Sequence, residues 1–333
     1  MGDIQIGERM KIAYIGNFEP RHSTENHVRL SLEHLGHEVK KIQENRTSMD
    51  QLELVLPAAD LVLYTRTWGL PGAQMLDLWR RLKERGIPTV SYHLDLYRGL
   101  ARTDLYERLA PLGISSPADD PFWRTEFCFT VDGDPDSAEW FKAQGINHYW
   151  MRAGVFGEEC YRVAVPERYP VLFVGSHGYH SEWPMRGQLI EFLGATYGRH
   201  FTLVPGNGNP AIRNHELNEL YGASRVVVGD SLCPGFKHKA YSSDRAYETL
   251  GRGGFLIYPY IEDQFDDELE DRKHIVFYEY GDFAGLEKLI DYYLEAHEER
   301  EAIREAGHRR VKERCTYVHR MAAILETVAA NRG

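Results

Sequence analysis

Several scarcities in this 333-residue chain each exclude a class of protein. It has only four cysteines, Cys128, Cys160, Cys233 and Cys315, with no two close together and no Cys-x-x-Cys pair. That excludes a disulfide-stapled scaffold and the common zinc spacings, and fits reduced thiols in a cytosolic setting. No apolar run approaches the ~20 residues that a membrane-spanning helix needs. The first ten residues are polar and lack the apolar stretch of a secretory leader, so a soluble, cytoplasmic protein with no membrane span is expected. Positive charge is also short: 39 Lys and Arg stand against 50 Asp and Glu, a net charge of −11. A polyanion meets no general attraction from such a chain, so nucleic acid enters only as a substrate. The local basic clusters, Arg80, Arg81, Lys83 and Arg85 and then residues 237–239, read as solvated faces.

What is present is ordinary globular composition over a length above the ~250–300 residues at which one core stops growing, so two domains are expected. Residues 11–16 are a short apolar run ending in glycine, a buried parallel strand. Residues 25–35 follow with helical spacing (Val28, Leu32, Leu35) and stop at Gly36. The pattern recurs with strands at 59–64, 88–93 and 127–131 and helices at 74–85 and 137–143. Residues 96–123, rich in Pro, Gly and Asp, read as an excursion rather than core. Residues 152–170 have no periodicity and read as a linker. Strands then return at 171–175, 201–204, 225–229 and 255–258, with helices at 186–197, 214–221 (closed by Gly222) and 244–250. Three helices, 283–296, 299–314 and 317–330, finish the chain. This alternation predicts an α/β fold of two Rossmann-like, doubly wound parallel-sheet domains facing a cleft, with C-terminal helices. The expected division is 1–155, 156–316, and a last helix, 317–333, packing back on the first domain. Ligands of such sheets bind beyond the carboxyl ends of the strands.

Residues 242–259, Ser-Ser-Asp-Arg-Ala-Tyr-Glu-Thr-Leu-Gly-Arg-Gly-Gly-Phe-Leu-Ile-Tyr-Pro, are a helix, a glycine turn and a buried strand. Ser243 suits the N-cap and Asp244 the positive end of the helix dipole. Arg245 and Glu248, three apart, share a helix face. A guanidinium there can take a phosphate bidentately, and a carboxylate can accept two ribose hydroxyls. Spacing alone fits an ordinary surface ion pair better.

The stretch resembles the C-terminal module of the group-1 glycosyl transferases, in the branch that includes spore-maturation-type glycosyltransferases, whose helix reads Ser-x-Arg-x-x-Glu. The likeness extends through residues 274–278, 281–283, Glu299-Arg300 and 303–308 to Val311, over about residues 225–325. The resemblance implies a GT-B fold of bacterial or bacteriophage type, located in the host cytoplasm if phage-encoded. It implies an enzyme that moves a sugar from a nucleotide diphosphate sugar to a hydroxyl of a protein, a modified DNA base or a glycan, with retention. The donor would be a UDP-sugar in preference to a GDP-sugar. The first domain would receive the acceptor and the second the donor, with Glu248 on the ribose and Arg245 near the diphosphate. Many retaining relatives carry a second Glu eight positions earlier. Here that position is Ala240, which leaves open how the sugar is held.

Other loops supply further donor-binding candidates: Gly175 and Ser176 after a strand, Arg186 opening the next helix, Gly206 and Asn207, Asp230 and Ser231, and Gly254 in the glycine turn. Acceptor-side candidates are Asn17, Arg66, Trp68 and His177. His93 or Asp95 would draw the proton from an acceptor hydroxyl; a structural His beside a capping Asp reads equally well. Asp132-Gly133-Asp134 has the form of a metal-chelating DxD but reads as a turn into a helix cap, and His177-x-x-His180 lacks a third ligand. Cations meet the phosphates, so no metal or cofactor is expected. The partners are the nucleotide sugar and an unidentified acceptor. Two other readings are a nucleotide-sugar epimerase of the same shape and a binding protein without catalysis.

Overall fold

A computed structural model describes residues 8–96, 103–177, 184–206, 208, 210–231, 238–265 and 268–332. The chain forms two units, Met1–Arg152 with Tyr317–Gly333, and Ala153–Thr316.

The first unit opens with β1 (Lys11–Gly16), in which every residue after Lys11 is buried. A strand covered on both faces reads as one continuous apolar run, as this one does. Helix α1 (Thr24–His34) is capped by Ser23, whose side chain accepts from the Asn26 N–H at 3.2 Å. There follow β2 (Glu38–Gln43), α2 (Met49–Val55), β3 (Leu61–Tyr64), α3 (Gly72–Glu84), β4 (Thr89–His93), α4 (Thr103–Leu109), β5 (Phe127–Thr130), α5 (Pro135–Ala143) and β6 (His148–Trp150). The sheet runs β2-β1-β3-β4-β5-β6, all parallel.

The second unit holds β7 (Tyr169–Val174), α6 (Pro184–Tyr197), β8 (Phe201–Val204), α7 (Asn214–Gly222), β9 (Ser224–Val228), α8 (Asp244–Gly251), β10 (Leu256–Pro259), β11 (Val276–Tyr278), α9 (Phe283–Glu295) and α10 (His297–Arg314). Its sheet runs β11-β10-β9-β7-β8, again all parallel. The last helix, α11 (Tyr317–Ala330), returns to the first unit and packs on α1.

The architecture is the doubly wound α/β type that the strand–helix alternation predicts, and three local readings change. Residues 96–123 are more than an excursion: Phe122 and Trp123 at their end are fully buried in the core of the first unit. Two adjacent aromatics supply more apolar area than the surrounding Pro, Gly and Asp remove. Gly222 does not end α7 as a left-handed cap. It is helical, and a Cβ there would stand 2.4 Å from the Val163 carbonyl oxygen. Strand β6 and helix α2 gave no sequence pattern, because β6 is a half-buried edge strand and α2 is only seven residues long.

Candidate functional site

In each sheet the first strand lies between the second and the third, so successive connections leave it in opposite directions. That arrangement opens a crevice at the carboxyl ends of the strands, the usual ligand position in such folds.

In the second unit this edge is formed by the loops after β7 and β9 and the start of α8. Strand β7 runs into Gly175, whose φ is +152° and whose Cβ, were there one, would stand 2.1 Å from Arg245 Nη1. Only glycine fits there. Arg245 reaches from α8 to donate to the Val174 carbonyl. Burial works against its charge, but Asp230 foremost, then Tyr221, Asp244 and Glu248, raise its pKa overall. From α6, Arg186 Nε meets Asp230 Oδ2 at 2.6 Å, with both side chains buried. Arg186 Nη1 also lies 3.4 Å from the Ser176 carbonyl oxygen. Asp230 is thus the counter-ion of Arg186 and the strongest charge acting on Arg245.

Ser243 occupies the N-cap position of α8, yet its hydroxyl makes no capping bond. Instead it lies 3.3 Å from the Tyr258 hydroxyl, which burial pushes up to about 12. The first-turn N–H groups of α8 therefore receive nothing from this side chain. Asp244 is exposed, and Glu248 is half-buried one turn on. Burial, and then the charge of Asp244, push the Glu248 carboxyl up to about 7, against the pull of Arg252 and Arg245. Arg252 belongs to the frame: it bonds Asn218 Oδ1 at 2.6 Å and pairs with Glu159.

Gly175, Ser176, Arg186, Asp230, Ser231, Ser243, Arg245 and Glu248 therefore share one sheet edge. Gly206 follows β8 with a φ of +149°, while Asn207 lies outside the described residues, as does His180. His177 is exposed in the turn after Ser176. Gly254 is not brought to this edge. It closes the turn after α8, its N–H donating to the Thr249 carbonyl at 2.8 Å, at the opposite end of the helix from Ser243. Ala240 is buried with a φ of +49°, and its N–H donates to the Glu262 carbonyl at 2.8 Å.

In the first unit, Asn17 follows β1 and its Oδ1 accepts from Gln43 Nε2 at 3.3 Å. His93 ends β4 against the rings of Phe122 and Trp123, at 5.6 and 5.8 Å between centroids. Asp95 is two residues on and partly buried. Arg66 is buried in an ion pair with Asp120 and lies over the Phe122 ring. Trp68 is 40% exposed.

Two carboxylates at this edge escaped the sequence reading. Glu44 accepts from the N–H groups of Thr67, Trp68 and Gly69, each at 2.8 Å, and from the Tyr64 hydroxyl at 2.7 Å. Glu25 is buried beside Gly16, its pKa raised chiefly by burial and further by Glu44. Neither residue sits in a motif; Glu44 stands just past β2, and Glu25 lies in the first turn of α1. In the DxD triplet, Asp134 caps α5 through the Asp136 and Ser137 N–H groups, and Asp132 Oδ1 accepts the Asp134 N–H at 3.2 Å. Among the described residues, Glu167, His297 and Glu301 are grouped closely enough to hold a metal. Arg225 and Arg300 already neutralise Glu167, each at 2.7 Å.

The late helix that carried part of the family likeness is frame. On α10, Arg300 donates to the Tyr293 carbonyl at the end of α9, and Arg304 to the Ser224 and Arg225 carbonyls at the start of β9. His308 Nδ1 meets the Gly251 carbonyl at the end of α8 at 2.8 Å. Cations placed on carbonyls at element ends complete bonds the elements cannot make for themselves. Gly307 lets α10 approach the His274 carbonyl, which a Cβ would meet at 2.2 Å.

Residues 167–326 match the family model described as "Glycosyl transferase-like". No curated protein matches the chain. Similar solved structures include an alpha-glucosyltransferase in complex with UDP-glucose and DNA containing an abasic site. The likeness covers 97% of this chain and 100% of that one, at 11% identity and a TM-score of 0.70. HepE of Anabaena in complex with UDP and glucose is similar over 97% and 100%, at 13% identity and a TM-score of 0.63. Sucrose-phosphate synthase of Thermosynechococcus elongatus is similar over the same shares, at 12% identity and a TM-score of 0.59. At such identities the shared property is the fold.

Proposed function

We propose that this chain, whose residues 167–326 match the glycosyl transferase-like family model, is a transferase that moves glucose from UDP-glucose to a hydroxyl acceptor, with retention and without a metal. The observation that carries this reading is the meeting of Arg186, Arg245 and the start of α8 at one sheet edge, with Glu248 a turn further along. A departing diphosphate develops negative charge. Two arginines and a helix N-terminus held in place before the reaction stabilise that charge without reorganising. They supply the positive charge a metal would otherwise bring. Glu248, as a carboxylate, accepts the ribose hydroxyls. UDP-glucose is the donor chosen because the similar glucosyltransferase and HepE structures hold it or its parts. The acceptor is assigned to the first unit, where Asn17, Trp68 and Asp95 stand past strand ends and His93 ends β4; Arg66, in its ion pair with Asp120, lies at the same edge.

Calorimetric titration with UDP and UDP-glucose tests the donor. Each charge-assisted hydrogen bond contributes about 1.5–3 kcal/mol, so Glu248→Ala lowers affinity roughly 10–100-fold. A wild-type protein without affinity for either ligand sinks the reading. Transfer is then followed by UDP release with a panel of hydroxyl acceptors, including hydroxymethylated DNA and glycans. The anomeric configuration of the product reports retention, and activity that survives a chelator supports metal independence.

A further inference from the structure

Asp230 is 5% exposed and Ser231 is 1% exposed, at the carboxyl end of β9. Arg186 occupies only one oxygen of the Asp230 carboxylate; the other, Oδ1, is buried with no hydrogen-bond partner among the described residues. Ser231 Oγ, also buried, has only the Tyr258 hydroxyl as a hydrogen-bond partner among the described residues. Buried polar atoms are almost always bonded, so the orphaned Asp230 oxygen, with a serine hydroxyl beside it, marks a place where a ligand group belongs. Both residues line a cavity of about 10 Å³, together with Arg186, Tyr278, Tyr280 and Phe283. That volume admits one water-sized group. A nucleobase does not fit, whereas a single hydroxyl does.

The position narrows the choice further. Arg186 ties Asp230 directly to the place assigned to the diphosphate. In a nucleotide sugar only two groups adjoin the diphosphate, the ribose and the sugar. With Glu248 of α8 on the ribose, the group left for β9 is the sugar. Ala240 is a buried methyl with its N–H already bonded, so it offers the donor no carboxylate.

We propose that Asp230 and Ser231 form a subsite for one hydroxyl of the transferred sugar, which donates to Asp230 Oδ1 and accepts from the Ser231 hydroxyl. The inference rests on the donor reading above and assigns sugar specificity to a residue that also orders Arg186.

The test compares UDP with UDP-glucose by calorimetry in wild-type protein, Asp230→Asn and Ser231→Ala. In wild type, UDP-glucose binds more tightly than UDP. Asp230→Asn, whose effect on UDP itself runs through Arg186, loses in addition about tenfold of the preference for UDP-glucose over UDP. Ser231→Ala, which removes one hydroxyl and leaves the ion pair intact, keeps UDP affinity and loses a few-fold of the preference. It carries the test alone if Asp230→Asn fails to fold. An unchanged preference in the variants overturns the proposal. So does an Asp230→Asn that loses affinity for UDP and UDP-glucose by the same factor, which would make Asp230 solely a support for Arg186. A wild type that binds UDP and UDP-glucose equally sinks this inference alone; a wild type that binds neither sinks the donor reading with it.

Discussion

The two units place their sheet crevices in the same topological position and give them opposite chemistry. In the first, β1 lies between β2 and β3; in the second, β7 lies between β8 and β9. At the β1–β3 edge the protein fills its own anion site. Glu44 takes three consecutive backbone N–H groups and a tyrosine hydroxyl, with Glu25 buried close by. At the β7–β9 edge it keeps its arginines for something else. Arg186 and Arg245 are held near one carboxylate, Asp230, and the start of α8 lacks a side-chain cap from Ser243. The fold therefore says where a ligand would lie, and the two arginines at the β7–β9 edge are what the proposed anionic donor site rests on.

The largest expected effect tests the self-filled edge. Glu44→Ala leaves three N–H groups and a buried hydroxyl without their acceptor and costs about 3–5 kcal/mol in a denaturant titration. UDP affinity stays unchanged; a fall in it would mean that the first unit shares in donor binding and would break the comparison. The next effect concerns the open edge. Arg186→Ala weakens UDP about 10–100-fold by calorimetry, as expected for one or two charge-assisted bonds of about 1.5–3 kcal/mol.

A smaller effect is a pH dependence. The Glu248 carboxyl stands at about 7 in the free protein, raised from its ordinary value chiefly by burial. A folded pKa above the unfolded one favours the folded state below pH 4.5, and that contribution is lost as pH rises through about 7. On the role proposed for Glu248, ribose hydroxyls donate to the ionised form, so UDP affinity rises between pH 6 and pH 8, by up to about tenfold. The UDP phosphate also titrates near this range, so Glu248→Gln is the control: the part of the slope that disappears belongs to Glu248. The smallest effect sharpens the contrast from the other side. The cations of α3 are exposed and paired with nearby acids, as Arg80 is with Asp77 and Glu84. Arg80→Ala leaves both the unfolding midpoint and UDP affinity within error, since exposed pairs contribute little.

The strand–helix alternation was legible because buried parallel strands are apolar runs and helices carry a 3.6-residue stripe. Left-handed glycines after helices were also legible, and Gly36, Gly86 and Gly145 have φ values of +87°, +72° and +66°. Gly222 looked the same in sequence and serves packing instead, because its neighbour Val163 lies 59 positions earlier. The site shows the same division. Loops past strand ends can be picked out from the strands themselves. The pairing of Arg66 with Asp120, or of Arg186 with Asp230, joins residues 54 and 44 positions apart. No local period or propensity carries that information. The same limit explains Ser243: its place at the head of α8 follows from local sequence, but the turn of its hydroxyl toward Tyr258 depends on a strand fifteen residues on.

Helix α11 buries Met321, Ile324 and Val328 and packs on α1, which buries Val28 and Leu32. On a ribosome, the unit whose first strand emerges earliest is therefore the one closed last. Its α1 surface stays uncovered while the whole of the second unit is being made, so the nascent chain carries an exposed apolar face for most of its synthesis.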